Sequence, residues 1–148
     1  MFIFNHLCGV ILHISGRGIS RGRGSGPLLV SPVPISFLSG VDPETGVIVE
    51  KGHPLQGTGI AGRVLAFPYG KGSTVGSYVL YALSRNGHAP AAIVNTEAEA
   101  IIATGAIIGR IPMIDRIGVP LTRLKSGVPV TVDGDRGGLD YDGPLNDE

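Results

Sequence analysis

The chain has 148 residues, 43% of them hydrophobic, and a formal net charge of zero with only 16% charged residues. That length suits one compact domain with one core, and the balanced charge leaves no electrostatic footprint for nucleic acid. The single cysteine, Cys8, excludes a disulfide framework, a cysteine zinc site or a cysteine-held iron–sulfur cluster built from this chain alone.

Met1 to Ile14 is apolar but too short to span a membrane, and it has neither a basic leader nor a small-residue cleavage site. A cytoplasmic location without membrane contact is therefore expected. Residues 1–10 read as an N-terminal extension, 11–138 as the domain, and 139–148 as an acidic mobile tail with little to bury. The 24 glycines and 11 prolines separate short β-branched runs, which predicts many short strands. The expected strands are 11–14, 26–30, 45–49, 63–67, 91–94, 107–111 and 128–132, the last leading into an Asp133-Gly134 turn. Arg17, Arg21 and Arg23 form a local basic cluster on a glycine-rich stretch. His6, His13, His53 and His88 show no paired metal spacing, so no metal site is expected.

Between the first strands, Asp42-Pro43-Glu44-Thr45-Gly46 reads as an Asx turn at least as readily as a substrate contact. Further on, the apolar run Arg63–Phe67 stops at Pro68-Tyr69-Gly70 and is followed by Lys71-Gly72-Ser73-Thr74-Val75-Gly76-Ser77. A helix is predicted from about Ser73 to Arg85, ending at Asn86-Gly87, with Val75, Tyr78, Val79, Ala82 and Leu83 on its apolar face. Strand, glycine loop and helix thus meet at one place. A first helical turn carries unpaired N–H groups and the positive end of the helix dipole, so an anion can sit there. Gly72 permits close backbone approach, Lys71 adds a full charge for anion contact, and Thr74 positions the loop.

Two nucleotide motifs fail on inspection. The Walker pattern needs glycine at position 65, which is Leu, and Ser or Thr after Lys71, where Gly72 stands; the dinucleotide fingerprint needs glycine at 75, which is Val. Locally, Ser73 or Thr74 is a natural helix cap, and Ser77 is expected to pack against the loop. A second helix is predicted over 97–103, with Thr96 and Glu99 as a capping box. Asp115 reads as a strand-end acid with a surface role.

Three segments together carry a resemblance: Gly40–Gly46, Phe67–Ser77, and Ala103–Ile108 with Ile111-Pro112-Met113. They resemble the small subunit of aconitase X-type dehydratases, over most of the chain from about Ile14 to Gly138. The resemblance implies an α/β fold, a swivelling β/β/α domain of mostly short strands with two main helices. It implies a heterodimer with a large subunit that carries an iron–sulfur cluster, expected to be 4Fe-4S, with no cofactor held by this chain. It also implies that Ser73 accepts a proton, with Lys71, Gly72 and Thr74 as substrate-contacting neighbours. The implied reaction is dehydration of a phosphorylated hydroxy acid, 5-phosphomevalonate, in a modified mevalonate route to isoprenoids. Hydroxyproline dehydration within the same family is an alternative, and a non-catalytic swivelling or docking module, in which Ser73 is only a cap, is another.

Overall fold

The computed structural model describes residues 11–147; the expected extension at 1–10 lies outside them. Glycine and proline breaks cut the described residues into ten strands: β1 (Ile11–Ser15), β2 (Arg17–Ser20), β3 (Arg23–Val30), β4 (Ile35–Ser36), β5 (Val64–Phe67), β6 (Gly70–Lys71), β7 (Ala92–Asn95), β8 (Met113–Asp115), β9 (Pro129–Asp133) and β10 (Gly138–Asp142). Two helices, α1 (Gly76–Arg85) and α2 (Ala100–Ile108), follow β6 and β7. The main sheet has eight strands in the order β1-β10-β9-β3-β5-β7-β8-β2, and β4 pairs with β6 separately. β3, β5, β7 and β8 run parallel in its centre.

A parallel strand covered on both faces reads as a continuous apolar run, and β5 is buried at all four positions. Its side chains alternate between two cores. Leu65 and Phe67 point to the first, with Leu80 and Leu83 of α1, Ile102 and Ala106 of α2, and Phe37, Val41, Ile48 and Ile60 from the long β4–β5 connection. Val64 and Ala66 point to the second, with Val130 and Val132 of β9 and Leu139 and Tyr141 of β10. The β1–β10–β9 wing therefore packs over one face of the parallel strands and the helices over the other, which gives the expected β/β/α layering.

Several elements differ from expectation. The tail is no tail at its start: β10 pairs with both β1 and β9, and Tyr141 is fully buried with its hydroxyl donating to the Pro144 carbonyl at 2.7 Å. Alternating Leu139 and Tyr141 supply the inward face that the acidic composition hides. The strand expected at 107–111 is the end of α2 and a turn with Arg110 at φ 56°, and the strand begins at Met113. Residues 45–49 make only isolated bridges, Val41 to Ile48 and Val47 to Gly59. The buried face of α1 is Gly76, Ser77, Leu80 and Leu83, while Val75 and Tyr78 are exposed.

Helices α1 and α2 touch at a glycine. A Cβ on Gly105 would meet Leu80 Cδ1 at 2.7 Å and the Ser77 Cα at 3.1 Å, so the close approach depends on hydrogen at that position. Alanine favours a helix interior over glycine by about 1 kcal/mol, but overpacking costs roughly 1–3 kcal/mol. Gly105→Ala is thus expected to lower the melting temperature, measured by circular dichroism, against the propensity trend.

Candidate functional site

The carboxyl ends of β3, β5, β7 and β8 lie side by side, the edge at which open parallel sheets bind ligands. Cross-links join the loops there: Ser31 N–H donates to the Ala66 carbonyl (2.8 Å), Thr96 N–H to that of Pro68 (3.0 Å) and Arg116 N–H to that of Thr96 (3.2 Å). Asn95, fully buried, donates its side-chain amide to the last carbonyl of β5, that of Phe67, at 3.0 Å.

The Ser73 loop leaves this edge. Gly70 and Lys71 pair with Ile35 and Ser36 as a two-residue parallel ladder, and a Cβ on Gly70 would collide with the Ile102 side chain. Gly72 then takes φ 96°, a left-handed conformation that side-chain-bearing residues rarely adopt. Ser73 follows, exposed, and its Oγ accepts the Val75 N–H at 3.1 Å. The Gly76 and Ser77 N–H groups donate to the Ser73 and Thr74 carbonyls at 3.0 and 3.3 Å, winding a turn ahead of α1. Regular helix starts at Gly76, later than predicted, and its formal cap, Val75, makes no side-chain bond. Ser73 nevertheless performs the capping bond for the preceding turn.

Thr74 acts through its carbonyl, which also accepts the Ser77 hydroxyl at 3.0 Å. Ser77 is buried against the loop as expected. Lys71 is not a free cation: its Nζ lies 3.0 Å from Oε2 of Glu50, a residue of the β4–β5 connection that the sequence does not single out. Proximity there is set by tertiary folding, since Glu50 and Lys71 are 21 positions apart. Ser36 stands on the other side, its Oγ 2.8 Å from where a Gly72 Cβ would lie. Its hydroxyl donates to the Leu38 carbonyl at 2.9 Å.

The Asp42 turn is structural. Its carboxylate accepts the Glu44 N–H at 2.9 Å and its carbonyl the Gly46 N–H at 2.7 Å, an Asx turn. Helix α2 is capped by Glu99 itself, which accepts the Ile101 and Ile102 N–H groups at 2.9 and 2.7 Å; the expected Thr96 cap is displaced because the helix starts later. The arginine cluster is dispersed, with Arg23 on Asp133 (3.1 Å) and Arg17 on Asp115.

Asp115 is fully buried, not a surface acid. Arg17 binds it through Nε and Nη2 at 2.9 and 2.8 Å, and Ala98 N–H donates to it at 2.7 Å, which anchors the segment leading to Glu99. Burial pushes its carboxyl up, but the Arg17 guanidinium, the Ala98 N–H and the charge of Arg116 together hold it below the ordinary carboxylate value. A carboxyl depressed in the folded state stabilises above its unfolded pKa and loses that contribution as pH falls through its folded one. Stability is therefore expected to decline from about pH 4 downward, and Asp115→Asn is expected to flatten that decline in urea titrations repeated across pH.

Among the described residues, no three His, Cys, Asp or Glu side chains gather to hold a metal ion, and no helix is long and apolar enough to cross a membrane. What the loop offers is an exposed hydroxyl with a backbone donor on it, a tethered ammonium, and glycine backbone open to close approach.

Comparison with known proteins places this architecture. The sequence profile of the aconitase X swivel domain matches residues 13–141. The chain belongs to that family. A phosphomevalonate dehydratase small subunit from Methanocella arvoryzae is 57% identical over 127 residues, covering 85% of this chain and 96% of the relative. The one from Pyrococcus furiosus is 54% identical over 126 residues, covering 85% and 92%. Among solved structures, the holo-form of aconitase X from Thermococcus kodakaraensis superposes with TM-score 0.84 at 50% identity, covering 88% of this chain and 98% of that one.

Proposed function

We propose that the chain is the small subunit of a heteromeric hydro-lyase that dehydrates (R)-5-phosphomevalonate to trans-anhydromevalonate 5-phosphate, in a modified mevalonate pathway. The observation that carries this reading is the exposed Ser73 on its glycine loop, in a chain more than half identical to phosphomevalonate dehydratase small subunits over nearly their full length.

Ser73 is the proton acceptor. A serine hydroxyl is a weak base near neutral pH and needs its oxyanion stabilised, and donors fixed beforehand provide this without reorganisation. The Val75 N–H already points at Oγ, so the bond that caps the turn also favours the alkoxide. The alkoxide takes the proton from the carbon next to the substrate carboxylate; that C–H pair becomes the double bond as the neighbouring C–O bond breaks. The hydroxyl leaves as hydroxide and takes a proton from solvent to become water, and Ser73 returns its proton to solvent before the next turnover. Lys71 contacts an anionic group of the substrate, Gly72 lets the substrate approach the backbone, and Thr74 sets the turn.

The partner is a large subunit of the same enzyme, in keeping with the "small subunit" in the relatives' names. Its iron–sulfur cluster, when bound, would supply Lewis-acid assistance to the departing hydroxyl. Among the described residues no group of side chains gathers to hold such a cluster, and this reading assigns its ligands to the partner. Tyr69, Val75, Tyr78 and Tyr81 are exposed around the loop and along α1, an apolar border that suits closure of the large subunit over Ser73 and exclusion of water.

The test is co-expression with the large subunit and anaerobic assay of 5-phosphomevalonate and of hydroxyproline. Dehydration of the phosphorylated acid is expected. Turnover of hydroxyproline alone would reassign the substrate, and a complex inactive on both would leave a docking module.

A further inference from the structure

We propose that Glu50 is a positioning residue of this loop, tethering Lys71 so that its ammonium is held ready for the substrate's anionic group; this rests on the role given to Lys71 above. Lys71 lies two positions before Ser73, on the strand that enters the loop. Its Nζ is 3.0 Å from Glu50 Oε2, with the two side chains 45% and 27% exposed.

Stability does not account for the pair. Ion pairs of this exposure contribute little to stability. Against that, the other carboxylate oxygen, Oε1, is buried with no hydrogen-bond partner among the described residues, and an unsatisfied buried polar atom is destabilising. The arrangement returns to the fold no more than it costs.

Geometry does account for it. Oε1 is pressed toward Gly40, where a Cβ would stand 3.3 Å from it, and Gly40 is in turn crowded against the Ser36 carbonyl. Ser36 is in register with Lys71 and abuts Gly72. The Gly40 carbonyl accepts the Val49 N–H at 2.9 Å, and the Glu50 carbonyl accepts the His53 N–H at 3.2 Å, so the carboxylate sits on a fixed backbone. A closed circuit of contacts therefore joins Glu50, Gly40, Ser36, Gly72 and Lys71. Lysine, on its flexible four-carbon stem, loses rotamer entropy on being fixed. Holding one of its three donors on Glu50 settles that loss before substrate arrives and leaves two donors to offer.

The experiment measures kcat and KM for 5-phosphomevalonate in the assembled complex carrying Glu50→Ala, Glu50→Gln, Lys71→Met, or Glu50→Ala with Lys71→Met. Glu50→Ala is expected to raise KM roughly tenfold, with a smaller change in kcat, the cost of an unpositioned binding group. Glu50→Gln keeps an acceptor at the same place and is expected to recover most of that loss. Because Glu50 acts through Lys71, the double variant should be no worse than Lys71→Met alone. An unchanged KM in Glu50→Ala, or losses that add in the double variant, would overturn the proposal. If Glu50→Ala does not assemble, Glu50→Met, of similar size but with no carboxylate acceptor, compared with and without Lys71→Met reads the same coupling. A wild-type complex inactive on 5-phosphomevalonate would count against the reaction, not the tether. The tether is then read on the full chain alone, where Lys71 should acetylate faster in Glu50→Ala than in wild type by peptide mass spectrometry; equal rates would refute it.

Discussion

Replacing Ser73 by alanine in the assembled enzyme is expected to lower turnover of 5-phosphomevalonate by about 10²–10⁴-fold, the usual contribution of a positioned general base. The alternative, that Ser73 only caps a turn, predicts something different. Losing a capping hydroxyl costs about 1 kcal/mol of stability, which a folded complex at ordinary temperature tolerates with little loss of rate. The two roles share one hydrogen bond, Val75 N–H to Ser73 Oγ at 3.1 Å, so stability and turnover have to be measured on the same sample. A small drop in melting temperature with an intact complex and turnover lost supports the base. Full activity would remove Ser73 from the chemistry.

Gly72→Ala is expected to be the next most damaging single change. Gly72 holds φ 96°, where a residue with a Cβ is strained by roughly 1–2 kcal/mol. The new methyl would also stand 2.8 Å from Ser36 Oγ, and Ser36 cannot retreat freely because its hydroxyl is bonded to the Leu38 carbonyl at 2.9 Å. The loop must shift instead, and Ser73 is the next residue. Misplacing a reacting group by about 1 Å costs on the order of 10²-fold. The expected signature is a loss in kcat with far-ultraviolet circular dichroism unchanged. An alanine variant with normal kcat would show that the left-handed turn does not set the position of the serine.

These predictions rest on parts of the molecule that were unequally legible. The run from Val64 to Arg85 is legible as strand, glycine loop and helix because the strand end and the helix end carry local causes, Pro68-Tyr69-Gly70 and Asn86-Gly87, where Gly87 takes φ 78°, although regular helix begins at Gly76 and not at Ser73. The Asx turn at Asp42 was equally local. The end of α2 was not, since an Ala/Ile-rich run suits either a helix or a buried strand. Packing of Gly105 and Ala106 against α1 settled it as helix. The face of α1 is hidden for the related reason that Gly76 and Ser77, small residues without an apolar signal, are the ones that approach α2 and the loop.

The sequence by itself determined which groups the candidate loop carries: a hydroxyl, an ammonium and a glycine in adjacent positions, in a chain with one cysteine. Only the tertiary structure decided what surrounds them. Glu50 on Lys71, Ser36 against Gly72 and Asp115 beneath Arg17 join residues far apart in the chain, and no local pattern encodes a pairing whose partners meet only after the sheet forms. The same holds for β10, whose Leu139 and Tyr141 acquire a core to face only when the β1–β10–β9 wing closes over the parallel strands. Local sequence fixes backbone conformation through steric rules that act within a few residues, whereas burial and charge pairing depend on which distant segments the fold brings together.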